Sequence, residues 1–194
     1  MNKFKGRISP ILLLLIISIW GFISGVLTIA LWQENWLITD GILNQEYIYK
    51  IEELTIDKRA LFFLCMGKRL RAFFLLFFLA FSTVNVFANV LFFFLSSLYV
   101  GSVIELLTIH YGMQGILMYL TLVLPQGLFY VLGYLTLGCW CLNMEKSGNE
   151  KTLKKKDKVQ KFKDKGRLIT AFLFVFIGII LESYVNLEIF KIFI

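Results

Sequence analysis

The longest stretch of this chain lacks charge almost entirely. Between Ala72 and Met144 the only formally charged residue is Glu105. A single helix of that length would extend roughly 110 Å, whereas the hydrocarbon core of a bilayer is about 30 Å thick. The run must therefore cross a membrane more than once. A chain that is 58% hydrophobic and 17% charged, with its apolar residues in such runs, is an integral membrane protein and not a soluble domain.

Histidine and cysteine are scarce, and their scarcity excludes several kinds of site. His110 is the only histidine, and the chain has no H-E-x-x-H, no G-x-S-x-G and no glycine-rich phosphate loop. We therefore expect no catalytic residue, no metal and no cofactor, and a structural role for His110. The three cysteines are an odd number, which does not make a disulfide framework, so they are expected to fill apolar space: Cys65, Cys139 and Cys141.

Basic residues are unevenly distributed and predict the orientation. Ten of the twenty lysines and arginines lie between Lys146 and Arg167, and three more precede the first apolar run. Loops rich in lysine and arginine stay in the cytoplasm, so both segments are expected there. The run Ile8–Trp32 exceeds the roughly 7–15 apolar residues of a signal peptide, which favours an uncleaved first span. The basic loop either contacts anionic membrane lipids or is simply solvated; nucleic-acid binding is not expected.

Parity gives the number of spans. Both basic segments are cytoplasmic, so an even number of spans separates them, and the run after Ala72 must supply three after the first. Asn85 and Asn89 are candidates for its first reversal and Tyr111–Gly115 for its second. Pro125, followed by Gly127, predicts a broken or kinked fourth helix. The predicted fold is an all-α bundle of five transmembrane helices in one polytopic domain, with spans at 10–32, 68–86, 89–110, 115–143 and 168–187.

The segments outside these spans are also assigned by parity. Residues 33–66 are expected outside the cell, with one or two short helices at the membrane surface. Trp36 and Tyr47 in this segment are candidate partner contacts, because aromatic residues often dominate interface energies. Residues 145–167 form the basic cytoplasmic loop, and the C-terminus lies outside.

Two acidic residues fall within predicted spans. A carboxylate in hydrocarbon is costly, so Glu105 and Glu182 are expected to face protein. Glu105 has two open interpretations, an interhelical hydrogen bond or part of a proton or solute pathway. Glu182 is expected to anchor its helix near the outer end of the span. Glycines within the spans predict close helix packing: Gly21, Gly25, Gly101, Gly133, Gly138 and Gly178.

A set of motifs in the second half of the chain resembles the stage II sporulation protein M family. Gly101-Ser-Val-Ile-Glu-Leu-Leu is followed by Tyr111-Gly-Met-Gln-Gly115, then by Leu124-Pro-Gln-Gly-Leu128 and Val131-Leu-Gly-Tyr-Leu135. Leu181-Glu-Ser-Tyr-Val185 is similar to the family's ending in its last span. At Glu105 this chain departs from the family, many members of which have a glycine or an apolar residue there. The family-motif or structural candidates are Gly101, Glu105, Gly112, Gly115, Pro125, Gln126 and Glu182.

The resemblance implies a function that composition and spacing do not. The family's namesake is a multi-span protein of the bacterial cell membrane that is needed for forespore engulfment. It anchors the stage II sporulation proteins D and P, which degrade peptidoglycan, and it acts as a scaffold rather than a hydrolase. The expectation is therefore a non-enzymatic scaffold. The alternative is a transporter or permease subunit that uses Glu105 and the helix break at Pro125; the sequence leaves the oligomeric state open.

Overall fold

The computed structural model of the chain describes residues 9–36, 57–149 and 158–186, with side chains over 9–32, 57–143 and 165–186. Within these ranges the protein is entirely helical, which confirms the all-α class. The five helices and a closing π-helical segment are α1 Pro10–Trp36, α2 Lys58–Leu79, α3 Asn85–Tyr111, α4 Met113–Asn149, α5 Lys158–Ile180 and the π segment Leu181–Val185.

Four of the described helices are long and apolar enough to cross a membrane. These segments are Pro10–Trp32, Asn85–Tyr111, Met113–Asn143 and Lys165–Val185. Helix α2 is not among them, because Lys68, Arg69 and Arg71 interrupt its apolar sequence. Length and composition therefore support four spans, one fewer than the sequence predicts.

Helix α2 begins earlier and ends earlier than expected. Asp57 caps its N-terminus, where the carboxylate accepts a hydrogen bond from the Arg59 N–H at 2.9 Å. Residues 58–66 therefore belong to α2 and do not form a separate surface helix. The chain turns over residues 80–84, so the predicted reversal at Asn85 and Asn89 is wrong: both asparagines lie within α3.

The second reversal lies where the glycines predict it. Gly112 has a φ of 58°, a backbone conformation that glycine adopts without steric cost. Its N–H donates to the Thr108 carbonyl oxygen at 2.8 Å and closes α3, and α4 begins at the next residue. The prediction of a turn at Tyr111–Gly115 is confirmed.

Helix α4 continues through Pro125, so the predicted interruption is wrong. Proline removes a donor from the helix, but side chains supply donors in the preceding turns. The Gln126 amide nitrogen donates to the Leu122 carbonyl oxygen at 2.7 Å, and the Thr121 hydroxyl donates to the Leu117 carbonyl oxygen at 2.9 Å. The carbonyl group that loses its backbone donor to Pro125 is that of Thr121; neither bond reaches it, and both add to the turns on either side. Helix α4 extends to Asn149 and α5 begins at Lys158, so the predicted basic loop at 145–167 is helical at both ends.

The helices alternate in direction. On α1 and α3, Gly21 lies against Phe94 and Gly25 against Leu98, so residue numbers rise together and these two helices are parallel. Helix α4 is antiparallel to α3, as the close pairs Phe92–Tyr134 and Leu107–Gly115 show. It is also antiparallel to α5, with the pairs Gly133–Val175 and Tyr130–Gly178. Helix α2 is antiparallel to α5, with the pairs Phe73–Phe172 and Phe62–Tyr184. The core lies where α2, α4 and α5 meet, around Leu76, Leu137 and Val175.

Candidate functional site

An ion pair joins α2 to the end of the α5 helix. The Arg69 Nη2 donates to Glu182 Oε1 at 2.8 Å, and the Arg69 Nε donates to Glu182 Oε2 at 3.0 Å. The two planar groups thus form a bidentate pair, the strongest geometry available to arginine and a carboxylate. The Glu182 side chain is 21% exposed and that of Arg69 is 42% exposed.

The directions of the helices explain why these side chains meet. Side chains on a helix lean toward its N-terminus. Helices α2 and α5 are antiparallel, so Arg69 leans toward Asp57 while Glu182 leans the opposite way. Phe73 lies beside Phe172 and Phe62 beside Tyr184, which places Arg69 and Glu182 within reach of each other between these two contacts.

Tyr130 of α4 contacts both members of the ion pair. Its hydroxyl donates a short hydrogen bond to Glu182 Oε2. The Arg69 guanidinium carbon lies 4.5 Å from the centre of the Tyr130 ring, which is cation–π geometry. The Tyr134 hydroxyl, one turn along α4, donates to the Arg69 carbonyl oxygen at 3.0 Å. Three helices are therefore joined by one polar cluster, which we call the Arg69–Glu182 cluster: Arg69, Tyr130, Tyr134 and Glu182.

The backbone that carries Glu182 is a π-helical segment. Leu181–Val185 has the wider π-helical turn, a rare local structure that is frequent at functional sites. Ser183 lies fully buried in this segment, and its hydroxyl donates to the Ile179 carbonyl oxygen at 2.6 Å. This segment coincides with the Leu181–Val185 motif noted in the sequence.

Two glycines let α4 and α5 approach closely enough for the cluster to form. A Cβ on Gly178 would lie 2.6 Å from Cε1 of Tyr130, and one on Gly133 would lie 2.7 Å from Cγ2 of Val175. Real Cβ atoms do not come this close, so any larger residue would displace α4 from α5. Gly178 therefore sets the position of the Tyr130 ring beside Glu182.

The bonds of this cluster hold α2, α4 and the π-helical segment together. Glu182 accepts three hydrogen bonds, two from Arg69 and one from Tyr130, so both carboxylate oxygens are occupied. A charge in hydrocarbon is tolerated when it is paired and hydrogen-bonded in this way. Within the described residues no group of three or more His, Cys, Asp and Glu side chains could hold a metal ion.

A second polar cluster lies near the turn between α2 and α3. The Asn85 amide donates to the Cys141 carbonyl oxygen at 2.7 Å, and the Asn89 amide donates to Asn85 Oδ1 at 2.9 Å. Both asparagines are at most 1% exposed. These bonds tie the start of α3 to α4, and the Cys141 thiol lies 3.8 Å from the Leu76 carbonyl oxygen of α2. All three cysteines are free, and Cys65 and Cys141 are buried as expected.

The residues selected from the sequence are not gathered at one place. Glu182 lies in the Arg69–Glu182 cluster. Gly101 packs against the backbone of Phe22 on α1, and Gly115 packs against Leu107 across the Gly112 turn, so these glycines serve close packing and reversal. Pro125 and Gln126 lie inside α4, and the Gln126 side chain bonds within its own helix. Trp36 is the last residue of α1, with its side chain outside the described part, and Tyr47 lies outside the described residues altogether.

Glu105 and Glu182 differ in their surroundings. The prediction that Glu182 faces protein is confirmed by its bonds to α2 and α4. Glu105 lies one helical turn from Gly101 on α3 and is half-buried, yet it makes no hydrogen bond or ion pair with any residue of the described ranges. His110 is exposed and its Nδ1 lies 2.9 Å from the Leu106 carbonyl oxygen of its own helix.

The sequence reasoning missed Arg69, Tyr130 and Tyr134 as site residues. Arg69 alone gives no sign of a partner, since lysine and arginine side chains often extend to the membrane interface. The signal that could have found the pair is the coincidence of two opposite charges, each within an otherwise apolar helix, since such residues usually pair with one another. The tyrosines carried no signal of their own beyond the Val131–Leu135 motif.

The apolar helices and the partly buried interhelical ion pair define the class of this chain as a multi-pass helical membrane protein. Comparison with protein families matches residues 11–186 to the family described as Stage II sporulation protein M. The match covers most of the chain, so this protein belongs to the stage II sporulation protein M family, and the resemblance drawn from its motifs is confirmed. No curated protein and no solved structure matches the chain.

Proposed function

We propose that this protein is a non-enzymatic membrane scaffold that anchors peptidoglycan-remodelling partners during sporulation, as in forespore engulfment. The observation that carries the proposal is the family assignment over residues 11–186. The family resemblance names the stage II sporulation proteins D and P as candidate partners. The proposed location of the protein is the bacterial cell membrane, with the N-terminus in the cytoplasm and the C-terminus outside the cell.

The arrangement of polar groups supports a scaffold. Arg69, Tyr130 and Glu182 bond to one another across three helices, and Asn85 bonds α3 to α4. Their donors and acceptors therefore hold the bundle together and are not directed toward a shared cavity. A rigid bundle of this kind suits a protein that holds partners at fixed positions.

The same packing supports five spans, with α2 as the additional one. Helices α1 and α3 are parallel, so the chain between them must return across the bundle. Helix α2 makes this return: Phe73 lies beside Phe172 in the first half of the α5 span, and Phe62 lies beside Tyr184, where that span ends. Arg69 is compatible with such a span because Glu182 neutralises it. A cysteine introduced after Ser147 tests the orientation, because this loop should be cytoplasmic. Reaction of that cysteine with a thiol reagent added outside the cell would contradict the proposed topology.

The part of the predicted external segment that precedes α2, residues 33–57, is the proposed partner contact, and Trp36 and Tyr47 are its candidate anchors. It is the only sizeable polar segment that the proposed topology leaves between spans on the outer side. Substitution of Trp36 and Tyr47 by alanine should weaken partner capture while the protein remains in the membrane. Unchanged capture would remove these two residues from the proposal.

Deletion of the gene in its spore-forming host tests the scaffold directly. Fluorescently tagged wall hydrolases should lose their localisation and engulfment should stop, and both should return with the wild-type gene. Purified protein should not degrade peptidoglycan. Normal hydrolase localisation in the deletion strain would contradict the proposal.

One observation keeps the transporter alternative in view, namely that Glu105 is half-buried without a described partner. The helix break that also motivated it is absent, since α4 continues through Pro125. Glu105→Gln keeps the size and hydrogen-bonding capacity of the side chain and removes its charge. Under the scaffold proposal this variant supports normal engulfment. Loss of function in a folded, inserted Glu105→Gln protein, together with solute flux through the purified wild type, would favour transport.

A further inference from the structure

The exposed side of α2 carries two cations that the bundle does not pair. Lys68 and Arg71 are both exposed, and neither makes a hydrogen bond or ion pair with any side chain in the described ranges. They contrast with Arg69, which lies between them and is held by Glu182. Arg71 therefore faces away from the Arg69–Glu182 cluster, whereas Lys68 makes no direct bond to Glu182 but lies close enough for its charge to stabilise that carboxylate.

These cations lie near the middle of α2 and far from either end. Phe73 lies beside Phe172 and Phe62 beside Tyr184, so Lys68 and Arg71 fall between these two contacts with α5. If α2 spans the membrane as proposed, both charges face hydrocarbon. Cations at that depth are costly, and in membrane proteins they pair with an acid or line a water-filled cavity.

The cations belong to a continuous exposed seam. Leu64, Lys68, Arg71, Leu75 and Phe78 recur at intervals of four and three residues, the spacing at which side chains form one line along a helix and receive a second helix. Leu75 is 57% exposed and Phe78 is 68% exposed. We call these five residues the α2 seam.

We propose that the α2 seam binds a transmembrane helix of a partner protein that carries an aspartate or glutamate near its middle. The carboxylate would pair with Arg71 and Lys68, while apolar side chains above and below it would pack on Leu64, Leu75 and Phe78. This inference rests on the proposed scaffold function and names the chemistry of the captured partner. It concerns the membrane-embedded face of α2, separately from residues 33–57, which precede that helix.

Charge argues against a second copy of this chain as the occupant. A twofold contact through the seam would bring Lys68 and Arg71 of one copy against the same residues of the other. Among the described spans the acidic residues are Glu105 and Glu182, and Glu182 is already bonded to Arg69. Anionic phospholipid is the competing occupant, and its binding is one outcome of the test.

The test uses the full-length protein in nanodiscs of zwitterionic lipid. The probe is a labelled apolar helix of about 20 residues with a single central glutamate, and its partner probe has glutamine at that position. Energy transfer to the labelled protein measures binding. The glutamate probe should bind about tenfold more tightly, as expected for one interhelical polar contact.

Variants of the seam decide whether the preference arises there. Arg71→Gln with Lys68→Gln should abolish the preference, whereas Arg59→Gln, an exposed arginine at the end of the same helix, should leave it unchanged. Arg71→Glu should prefer a probe with a central lysine. A reversed preference requires folded protein, so this variant shows that the loss of preference in the double variant does not come from unfolding. Equal binding of the glutamate and glutamine probes, or a preference that survives the double variant, would overturn the proposal.

Two further outcomes separate this inference from the scaffold function. Retention of anionic phospholipid by wild type but not by the double variant, with no binding of the glutamate probe, would assign the seam to lipid and overturn the partner-helix proposal. If the probe fails but deletion of the gene still mislocalises the wall hydrolases, the seam is wrong and the scaffold stands. If the hydrolases localise normally in the deletion strain, the scaffold is wrong, whatever the probe does.

Discussion

Two interfaces hold this bundle together by different means. Between α1 and α3, Gly21, Gly25 and Gly101 bring backbones into direct contact, and the Ser102 hydroxyl donates to the Gly25 carbonyl oxygen at 3.3 Å. Between α2, α4 and α5, the Arg69–Glu182 cluster supplies charge and hydrogen bonds. The first interface depends on shape, as expected where lipid removes the hydrophobic driving force between helices, and the second depends on charge pairing.

The difference predicts how each interface fails. Loss of one charge leaves its partner unpaired in a low-dielectric environment, whereas an added methyl group at a glycine contact separates two backbones. The first penalty is larger and can be reversed by restoring charge balance. The second is smaller and can be reversed only by restoring space.

The largest effect should follow Glu182→Ala. This change leaves the Arg69 guanidinium without its carboxylate and should cost about 3 kcal/mol of stability, the lower end of the range for breaking a buried ion pair, because the Arg69 side chain is 42% exposed. Glu105→Ala is the matched control, because Glu105 has no described partner and its loss should have a much smaller effect. Unfolding of both variants in detergent micelles checks the prediction, and equal destabilisation would contradict it.

The glycine interface should respond to Gly101→Ala by about 1–3 kcal/mol, the usual cost of overpacking. A Cβ at this position would overlap the backbone of Phe22 and displace α1 from α3. Gly67→Ala on α2 is the control, since nothing lies within 4 Å of an added Cβ there. The thermal unfolding midpoint should fall for Gly101→Ala only. A Gly101→Ala protein as stable as wild type would refute the close-contact account.

Within the polar interface, Tyr130→Phe should cost more than Tyr134→Phe. Tyr130 donates to a carboxylate and Tyr134 to a neutral carbonyl oxygen, and bonds to charged groups are stronger. Interhelical hydrogen bonds in membranes contribute about 0.6 kcal/mol on average and up to about 1.7 kcal/mol. We expect Tyr130→Phe near the upper figure and Tyr134→Phe near the lower one. The reverse order in equilibrium unfolding would show that the carboxylate is not the main acceptor in the cluster.

The smallest effect should follow Pro125→Ala. Helix α4 already continues through this position, and Gln126 and Thr121 supply side-chain donors nearby. Restoring the N–H should therefore change stability by less than about 1 kcal/mol. A gain of several kcal/mol would mean that proline strains this helix.

These interfaces were predictable from the sequence to different degrees. Glycine spacing indicated close packing, and the positive φ of Gly112 followed from the need for a tight turn. Only one member of the Arg69–Glu182 pair was predicted. The cost of a carboxylate in hydrocarbon required Glu182 to face protein. Its partner lies 113 residues away, and helical spacing does not relate residues on different helices. The break at Pro125 was wrong because the loss of one donor, at the Thr121 carbonyl oxygen, does not end a long apolar helix whose other backbone bonds continue.

The topology shows the same limit. Charge distribution predicted the orientation, but hydropathy alone does not support α2 as a span, because its charges count against it. Only the packing relates Arg69 to a counter-ion that removes this cost. A charge that looks unfavourable in one helix can be stabilising in the bundle, and that information resides in contacts between helices.

Arg69 and Glu182 hold α2 in the bundle by their opposite charges. A charge exchange tests this pairing most directly, with the stabilities of Arg69→Glu, Glu182→Arg and the double variant measured by equilibrium unfolding in the same lipid mixture. We predict that each single variant is strongly destabilised, because it places two like charges together, and that the double variant recovers a large part of the loss. A double variant no more stable than the single ones, or single variants as stable as wild type, would contradict the account.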